Sequence, residues 1–128
     1  MDQILVVDDD GLSRELLQDL LGAAGYDVSA VGSAEEALDV IAAIPPDLII
    51  MDIRLPGMDG LEATRRIKAD PITAQIPVIV TTAHAMKGDK ERIIKAGCDA
   101  CLVKPLTASR VLATITAFHP IKTMSDGF

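Results

Sequence analysis

Four short apolar runs, each ending at charged or hydroxyl residues, constrain the fold of this chain more than any other feature. The runs cover residues 4–7, 48–51, 78–80 and 102–103, and they lead, in turn, into Asp8 with Asp9 and Asp10, Asp52, Thr81 with Thr82, and Lys104. Helical patterns separate the runs, which predicts parallel strands joined by crossover helices. Ligands of such sheets bind beyond the carboxyl ends of the strands. We therefore predict an α/β fold whose polar residues converge on one edge of one sheet.

Length and charge narrow the class of protein. A chain of 128 residues predicts one domain with a single core, and its one tyrosine, two phenylalanines and lack of tryptophan predict an aliphatic core. The net charge of −7 repels phosphate backbones and anionic lipids, so we expect no direct nucleic-acid binding. Without a basic leader or an apolar stretch of membrane-spanning length, we expect no membrane insertion and a cytoplasmic location.

Helix signals fill the intervals between the predicted strands, which include a further strand at residues 28–31. Leucines at helical spacing predict a first helix that Gly25 ends, and Ser33 with Glu36 forms a capping box for a second. Asp59 can cap a third, Gly97 can end a fourth that covers residues 86–96, and Thr107 can begin a fifth. The domain then covers residues 1–120, and residues 121–128 are expected to be a frayed tail or the start of a linker.

Cys98 and Cys101 form a C-x-x-C motif, which invites a redox or metal-binding interpretation. One pair supplies only half of a structural zinc site, and redox versions usually open a helix. If the segment is extended, residues three apart point to opposite faces. We therefore expect two partly buried packing residues.

Carboxylates gathered at neighbouring strand ends require a cation. Two unit charges about 4 Å apart repel by about 4 kcal/mol at an effective dielectric near 20. Lys104 supplies one positive charge, and Mg²⁺, which prefers carboxylate and phosphate oxygens, suits the remainder. A solvated loop with a helix cap would account for Asp8 to Asp10 alone, but it leaves Asp52 and Lys104 unexplained.

Asp52 is the best candidate for a nucleophile. A carboxylate beside Mg²⁺ and a lysine can attack an activated phosphoryl donor and form an aspartyl phosphate. Asp52 follows a fully apolar strand that fixes its position, whereas the pair Asp8 and Asp9 is better suited to holding metal. Thr81 and Thr82 compete as the hydroxyl that bonds a phosphoryl oxygen, and strand alternation allows only one to point into the site.

These residues carry a resemblance to a known family. The matching segments are the acidic pair behind Val6 and Val7, residues 51–60 around Asp52, Thr82 with Ala83, and Lys104 with Pro105. Over about residues 3–118, the chain resembles a receiver domain of bacterial two-component response regulators. Residues 82–98 are especially similar to single-domain cell-division regulators and to receivers attached to hybrid kinases.

The resemblance implies a fold, a site and partners. It implies a doubly wound, flavodoxin-like (βα)5 sheet with strand order 2-1-3-4-5. The implied site has Asp52 as phosphoacceptor, Asp8, Asp9, Asp52 and the Arg54 backbone carbonyl as Mg²⁺ ligands, Thr82 as switch hydroxyl, Lys104 as phosphoryl contact, and a cis peptide before Pro105. The implied phosphodonor is a sensor histidine kinase or a histidine phosphotransfer protein, and the output is a further protein.

The chain departs from the family pattern at one position, and its site residues also fit two competing functions. Many receivers have an aromatic residue where this chain has Cys101, so we expect the output face either to respond less or to respond by backbone shifts of the fourth strand and the fourth helix. Arg54 and His84 occupy positions that line the mouth of the site and tune phosphate lifetime in the family. Asp8-x-Asp10 with Lys104 also resembles a haloacid-dehalogenase-type phosphatase, although that interpretation leaves Asp52 without a role. A receiver-shaped docking adaptor that is never phosphorylated is the other alternative.

Overall fold

Five parallel strands alternate with five helices in the part of the chain that the structure describes. The structure is a computed structural model and describes residues 2–83 and 87–118. The elements are β1 (Gln3–Val7), α1 (Gly11–Ala23), β2 (Asp27–Val31), α2 (Ala34–Ala43), β3 (Leu48–Asp52), α3 (Gly60–Ala69), β4 (Val78–Thr82), α4 (Lys87–Ala96), β5 (Ala100–Val103) and α5 (Ala108–Phe118). The strand order is β2-β1-β3-β4-β5, and every neighbouring pair is parallel. The predicted fold class and strand order are confirmed.

Helices cover both faces of the sheet. Buried side chains of α2, α3 and α4 pack with one face, and those of α1 and α5 pack with the other. The central strands β3 and β4 are buried along their whole length. A strand covered on both faces needs apolar side chains at every position, which is why these strands appear in the sequence as continuous apolar runs.

Capping residues set the helix ends that bear on the site. The side chains of Asp10, Ser33 and Asp59 accept hydrogen bonds from the first turns of α1, α2 and α3. Gly25 and Gly97 follow α1 and α4 with φ of +98° and +88°, a conformation that favours glycine. These helix ends agree with the predicted ones. The strand β5 begins at Ala100, two residues before the apolar run from which it was predicted.

The two cysteines do not point to opposite faces. Cys98 lies in the turn after α4 rather than in an extended segment, because β5 begins only at Ala100. Both thiols are partly buried and pack against the same core cluster, on the side covered by α2, α3 and α4. Burial raises the pKa of the Cys98 thiol to about 11, which disfavours the reactive thiolate. They are packing residues, as expected, but they share one side of the sheet.

Three parts of the chain lie outside the described residues, namely residue 1, residues 84–86 and residues 119–128. They include His84 and Met86, with which the predicted fourth helix begins, and the predicted tail at residues 121–128. Among the residues that are described, no helix has the length and apolar character needed to cross a bilayer.

Candidate functional site

Three carboxylates meet at the carboxyl ends of β1 and β3. Val7 pairs with Met51 in the sheet, so the residues that come after them, Asp8 and the last β3 residue Asp52, lie side by side at this edge. Ligand oxygens of Asp8, Asp9 and Asp52 lie within 4.8 Å of one another. Asp8 and Asp52 are only 3% and 6% exposed, whereas Asp9 is exposed. The sheet register therefore creates an acidic cluster that is buried on one side and open on the other.

Lys104 reaches this acidic cluster from β5, two strands beyond β3. Its Nζ lies 3.3 Å from Oδ2 of Asp52 and 3.4 Å from Oδ2 of Asp8. The peptide bond between Lys104 and Pro105 is cis, the geometry that the resemblance implies. One ammonium group thus bridges two buried carboxylates and leaves the negative charge of the cluster only partly compensated.

Backbone groups fix the orientation of both buried carboxylates. Oδ1 of Asp52 accepts a hydrogen bond from the Arg54 backbone N–H at 3.1 Å. Oδ1 of Asp8 accepts one from the Asp10 N–H at 2.9 Å. Each carboxylate therefore has one oxygen bound to the backbone and the other directed at Lys104, so neither is free to rotate away from the cluster.

The electrostatics of the cluster favour a cation. Burial raises the pKa of Asp52, and the nearby charge of Asp8 adds to that effect, although Lys104 opposes it. For Lys104, burial acts to lower the pKa, but the charges of Asp52 and Asp8 outweigh it, so the pKa is raised. Lys104 therefore stays protonated, and further positive charge would stabilise ionised Asp52.

Mg²⁺ fits this donor set. The ion prefers hard oxygen ligands and uses one or two carboxylates together with waters and phosphate oxygens. Here two buried carboxylates and one exposed carboxylate converge within 4.8 Å, and one lysine balances only part of their charge. An exposed third carboxylate leaves the open side accessible to water and to a phosphoryl group.

The two threonines at the end of β4 lie in different surroundings. Thr81 pairs with Asp52 in the sheet, but its hydroxyl is buried and has no hydrogen-bond partner among the described residues. Thr82 lines the cavity beside the acidic cluster together with Asp9 and Arg54. Strand alternation separates the two side chains, and only Thr82 borders this cavity. This placement favours Thr82 as the hydroxyl of the site.

The cavity beside the acidic cluster has a volume of about 490 Å³. Its wall is formed by the loop after β3 and by α4, where Asp89 and Arg92 form an ion pair of 3.5 Å. Arg54 lies at its edge, at the predicted mouth of the site. His84, the other residue predicted there, lies outside the described residues. Because Asp9 and Thr82 both line this cavity, open space adjoins the acidic cluster on the side of Thr82.

Sequence analysis did not single out Arg14, which contacts the backbone of the site. Its Nη1 donates a hydrogen bond of 2.8 Å to the Asp8 carbonyl oxygen. The available sequence signal was an arginine in the first turn of a helix that opens directly behind the acidic residues, which alone does not specify a target. Glu35 was likewise missed; its Oε2 accepts a hydrogen bond from the Met58 N–H at 3.3 Å and thereby ties α2 to the loop after β3.

A comparison with protein families identifies the class of protein to which this site belongs. Residues 4–116 match the family model described as response regulator receiver domain. The chain belongs to this family. It is a receiver domain of the kind found in two-component response regulators, and the acidic cluster with Lys104 lies at the carboxyl edge of its sheet.

Individual relatives of the receiver domain agree with this assignment. The polar-differentiation response regulator DivK of Brucella ovis is 44% identical over 115 residues, covering 90% of this chain and 94% of that protein. A putative response regulator from Chloroflexus aurantiacus superposes with a TM-score of 0.87 at 33% identity, covering 91% of this chain and 96% of the other. The receiver domain of the sensor histidine kinase PA1611 from Pseudomonas aeruginosa, solved with magnesium in its active site cleft, superposes with a TM-score of 0.85 at 32% identity, covering 91% of this chain and 96% of the other.

Proposed function

We propose that this receiver domain accepts a phosphoryl group on Asp52 in a Mg²⁺-dependent reaction and thereby switches a protein–protein interaction. The observation that carries the proposal is the geometry around Asp52. A buried carboxylate lies within 4.8 Å of two others, and its Oδ2 is 3.3 Å from a lysine that also contacts Asp8. Such a site favours an incoming cation and a tetrahedral anion together.

The proposed reaction is an in-line displacement at phosphorus. An Asp52 oxygen forms a bond to phosphorus, the bond from phosphorus to the donor imidazole nitrogen breaks with its electron pair going to that nitrogen, and the donor leaves as neutral imidazole because its other ring nitrogen already carries a proton. Asp8, Asp9, Asp52 and the Arg54 carbonyl would hold Mg²⁺, which when bound supplies charge that neutralises phosphoryl oxygens. Lys104 stabilises the phosphoryl oxygens from the β5 side, and Thr82 donates a hydrogen bond to one of them from the cavity side.

The phosphodonor in this proposal is a sensor histidine kinase or a histidine phosphotransfer protein. A groove of about 240 Å³ adjoins Lys104 and is lined mostly by apolar side chains of α1 and the segment after β5. Leu16 of α1, at one wall of this groove, is 60% exposed. A helical donor could dock its apolar face here and present phosphohistidine to the edge of the sheet. In this proposal, a downstream protein target reads the phosphorylated state.

Arg54 and His84 belong to the same proposal as residues that tune the phosphate lifetime. Arg54 lines the cavity beside the acidic cluster, and in this proposal hydrolytic water reaches the phosphoryl group through that cavity. Replacing both residues with alanine should change the rate at which phosphate is lost from Asp52. A lifetime equal to that of the wild type would remove these two residues from the proposal.

Intact-protein mass after incubation with acetyl phosphate tests the phosphoacceptor. One added phosphoryl group is expected in the wild type with Mg²⁺, and none with a chelator or in Asp52→Asn. Asp19→Asn is the matched control, because it removes an exposed carboxylate of α1. Mg²⁺ binding without phosphorylation by acetyl phosphate or by a phosphohistidine donor would instead support a docking adaptor. Continuous turnover of a generic phosphate ester would support a phosphatase.

A further inference from the structure

The backbone of Asp8 is held on both sides. Its N–H donates a hydrogen bond of 3.1 Å to the Val31 carbonyl at the end of β2. Its carbonyl accepts a hydrogen bond of 2.8 Å from Nη1 of Arg14. Since Asp8 is followed directly by Asp9, these two bonds fix the path of the chain at the point where both carboxylates leave β1.

The Arg14 guanidinium lies between two glycines. Its Nη2 would be 3.5 Å from a Cβ placed on Gly11, and its Nη1 would be 3.3 Å from one placed on Gly32. Gly11 begins α1, and Gly32 follows β2. The space left by two missing side chains is therefore filled by a planar cation that contacts the loops after β1 and β2.

No carboxylate lies within 4.0 Å of the Arg14 nitrogens among residues 2–83 and 87–118, so this arginine is not part of a salt bridge there. Its bond to the Asp8 carbonyl is the polar side-chain contact that locates it. A cation kept near an acidic cluster without a carboxylate partner opposes the binding of a second cation by Coulomb repulsion. Any favourable effect of Arg14 on metal binding must therefore come from geometry rather than from its charge.

We propose that Arg14 is a positioning residue for the metal site: by holding the Asp8 carbonyl against the loops after β1 and β2, it keeps the carboxylates of Asp8 and Asp9 preorganised for Mg²⁺. This inference rests on the proposed Mg²⁺-dependent function. Groups that orient metal ligands without touching the metal typically affect affinity by 10- to 100-fold. The guanidinium suits this role better than an ammonium, because it is planar and presents donors in fixed directions.

The direction in which Mg²⁺ affinity changes distinguishes a positioning role of Arg14 from a purely electrostatic role. Arg14→Met removes a positive charge, so a purely electrostatic role predicts tighter Mg²⁺ binding. A positioning role predicts weaker binding, by about tenfold. Arg14→Lys keeps the charge and one donor but loses the planar group, and it should weaken binding by a smaller factor.

Titration of backbone amide chemical shifts with MgCl₂ measures these affinities without phosphorylation. The proteins are the wild type, Arg14→Met, Arg14→Lys and, as matched control, Arg110→Met, which removes an exposed arginine of α5. The control should keep the wild-type Kd or bind slightly more tightly. In acetyl phosphate reactions, Arg14→Met should need about tenfold more Mg²⁺ for half-maximal rate, with the rate at saturating Mg²⁺ close to that of the wild type.

The outcomes distinguish this inference from the function on which it rests. A wild type without saturable Mg²⁺ shifts overturns the metal site itself and the Arg14 role with it. A wild type that binds Mg²⁺, together with an Arg14→Met variant that binds equally or more tightly, overturns the positioning role alone. Should Arg14→Met fail to fold, Arg14→Lys decides, because a Kd identical to that of the wild type would leave no role for the planar group.

Discussion

Replacing Asp52 with asparagine should stabilise the metal-free receiver domain. Asp52 attracts Lys104 at 3.3 Å but repels Asp8 and Asp9, whose oxygens lie within 4.8 Å. At an effective dielectric near 20, the attraction is about 5 kcal/mol and each repulsion is about 3.5 kcal/mol. The repulsions exceed the attraction by about 2 kcal/mol, and solvent screening of exposed Asp9 reduces this excess to about 1 kcal/mol. The buried location of Asp52 acts in the same direction.

Thermal unfolding with and without Mg²⁺ measures this effect. With a chelator at neutral pH, Asp52→Asn should melt about 4 °C above the wild type, as expected for about 1 kcal/mol in a domain of this size. Mg²⁺ at 100 times its Kd should stabilise the wild type by about 2.7 kcal/mol, and it should stabilise the variant less because a ligand is missing. The difference should therefore shrink or reverse in Mg²⁺, while Asp19→Asn shows neither change.

The direction in which pH changes stability follows from the pKa of Asp52. Burial, followed by the charge of Asp8, raises the pKa of folded Asp52 above its ordinary value of 3.8, so the folded state binds the proton more tightly. The resulting stabilisation is present below pH 3.8 and is lost as the pH rises through the folded pKa. In metal-free buffer, the advantage of Asp52→Asn should thus grow from acid to neutral pH. A variant that melts below the wild type at neutral pH would show that the Lys104 pair outweighs the repulsion, and it would refute this reasoning.

Three further substitutions and one phosphoryl mimic test other parts of the domain. Thr81→Val should raise the free energy of unfolding by about 1 kcal/mol, because it removes a buried hydroxyl that lacks a described partner, and it should not affect phosphorylation. Thr82→Val, at the cavity, should instead impair the response to phosphoryl binding. Gly60→Ala should destabilise the domain by about 2 kcal/mol or more in chemical denaturation, since its Cβ would overlap the Asp52 carbonyl. With Cys101 in place of an aromatic residue, a phosphoryl mimic should still shift amide resonances of β4 and α4; shifts confined to the loops around Asp52 would argue against switching.

The sequence predicted the fold well because its strands and helix ends are encoded locally. The runs at residues 48–51 and 78–80 are apolar at every position, which only a strand covered on both faces requires. Asp59 precedes α3 and its side chain caps that helix, so the end could be identified from one residue. Because β3, β4 and β5 are parallel, their carboxyl ends lie at the same edge of the sheet, and Asp52 and Lys104 meet there.

Contacts between elements that are distant in the sequence were less predictable. Leu12 and Leu16 fit the helical period of α1 but are 64% and 60% exposed, because periodicity indicates a helix without saying how wide its buried face is. The direction of the Arg14 side chain depends on space above Gly32, in a different loop. The orientation of Cys98 depended on where β5 begins, and strand ends are uncertain by a few residues in any sequence-based prediction.

The energetics of the core explain how the chain tolerates its own site. The net repulsion at Asp52 is about 1 to 2 kcal/mol, whereas full burial of a single aliphatic side chain contributes about 1.5 to 3 kcal/mol. β3 buries Leu48, Ile49, Ile50 and Met51 directly before Asp52, and all four are at most 1% exposed. The strand that positions the carboxylate therefore also offsets its cost, and the acidic cluster can remain short of positive charge. The packing of β3, rather than a second lysine, compensates for the repulsion at Asp52. The excess negative charge of the cluster therefore remains, and it favours the binding of a metal ion together with a phosphoryl group.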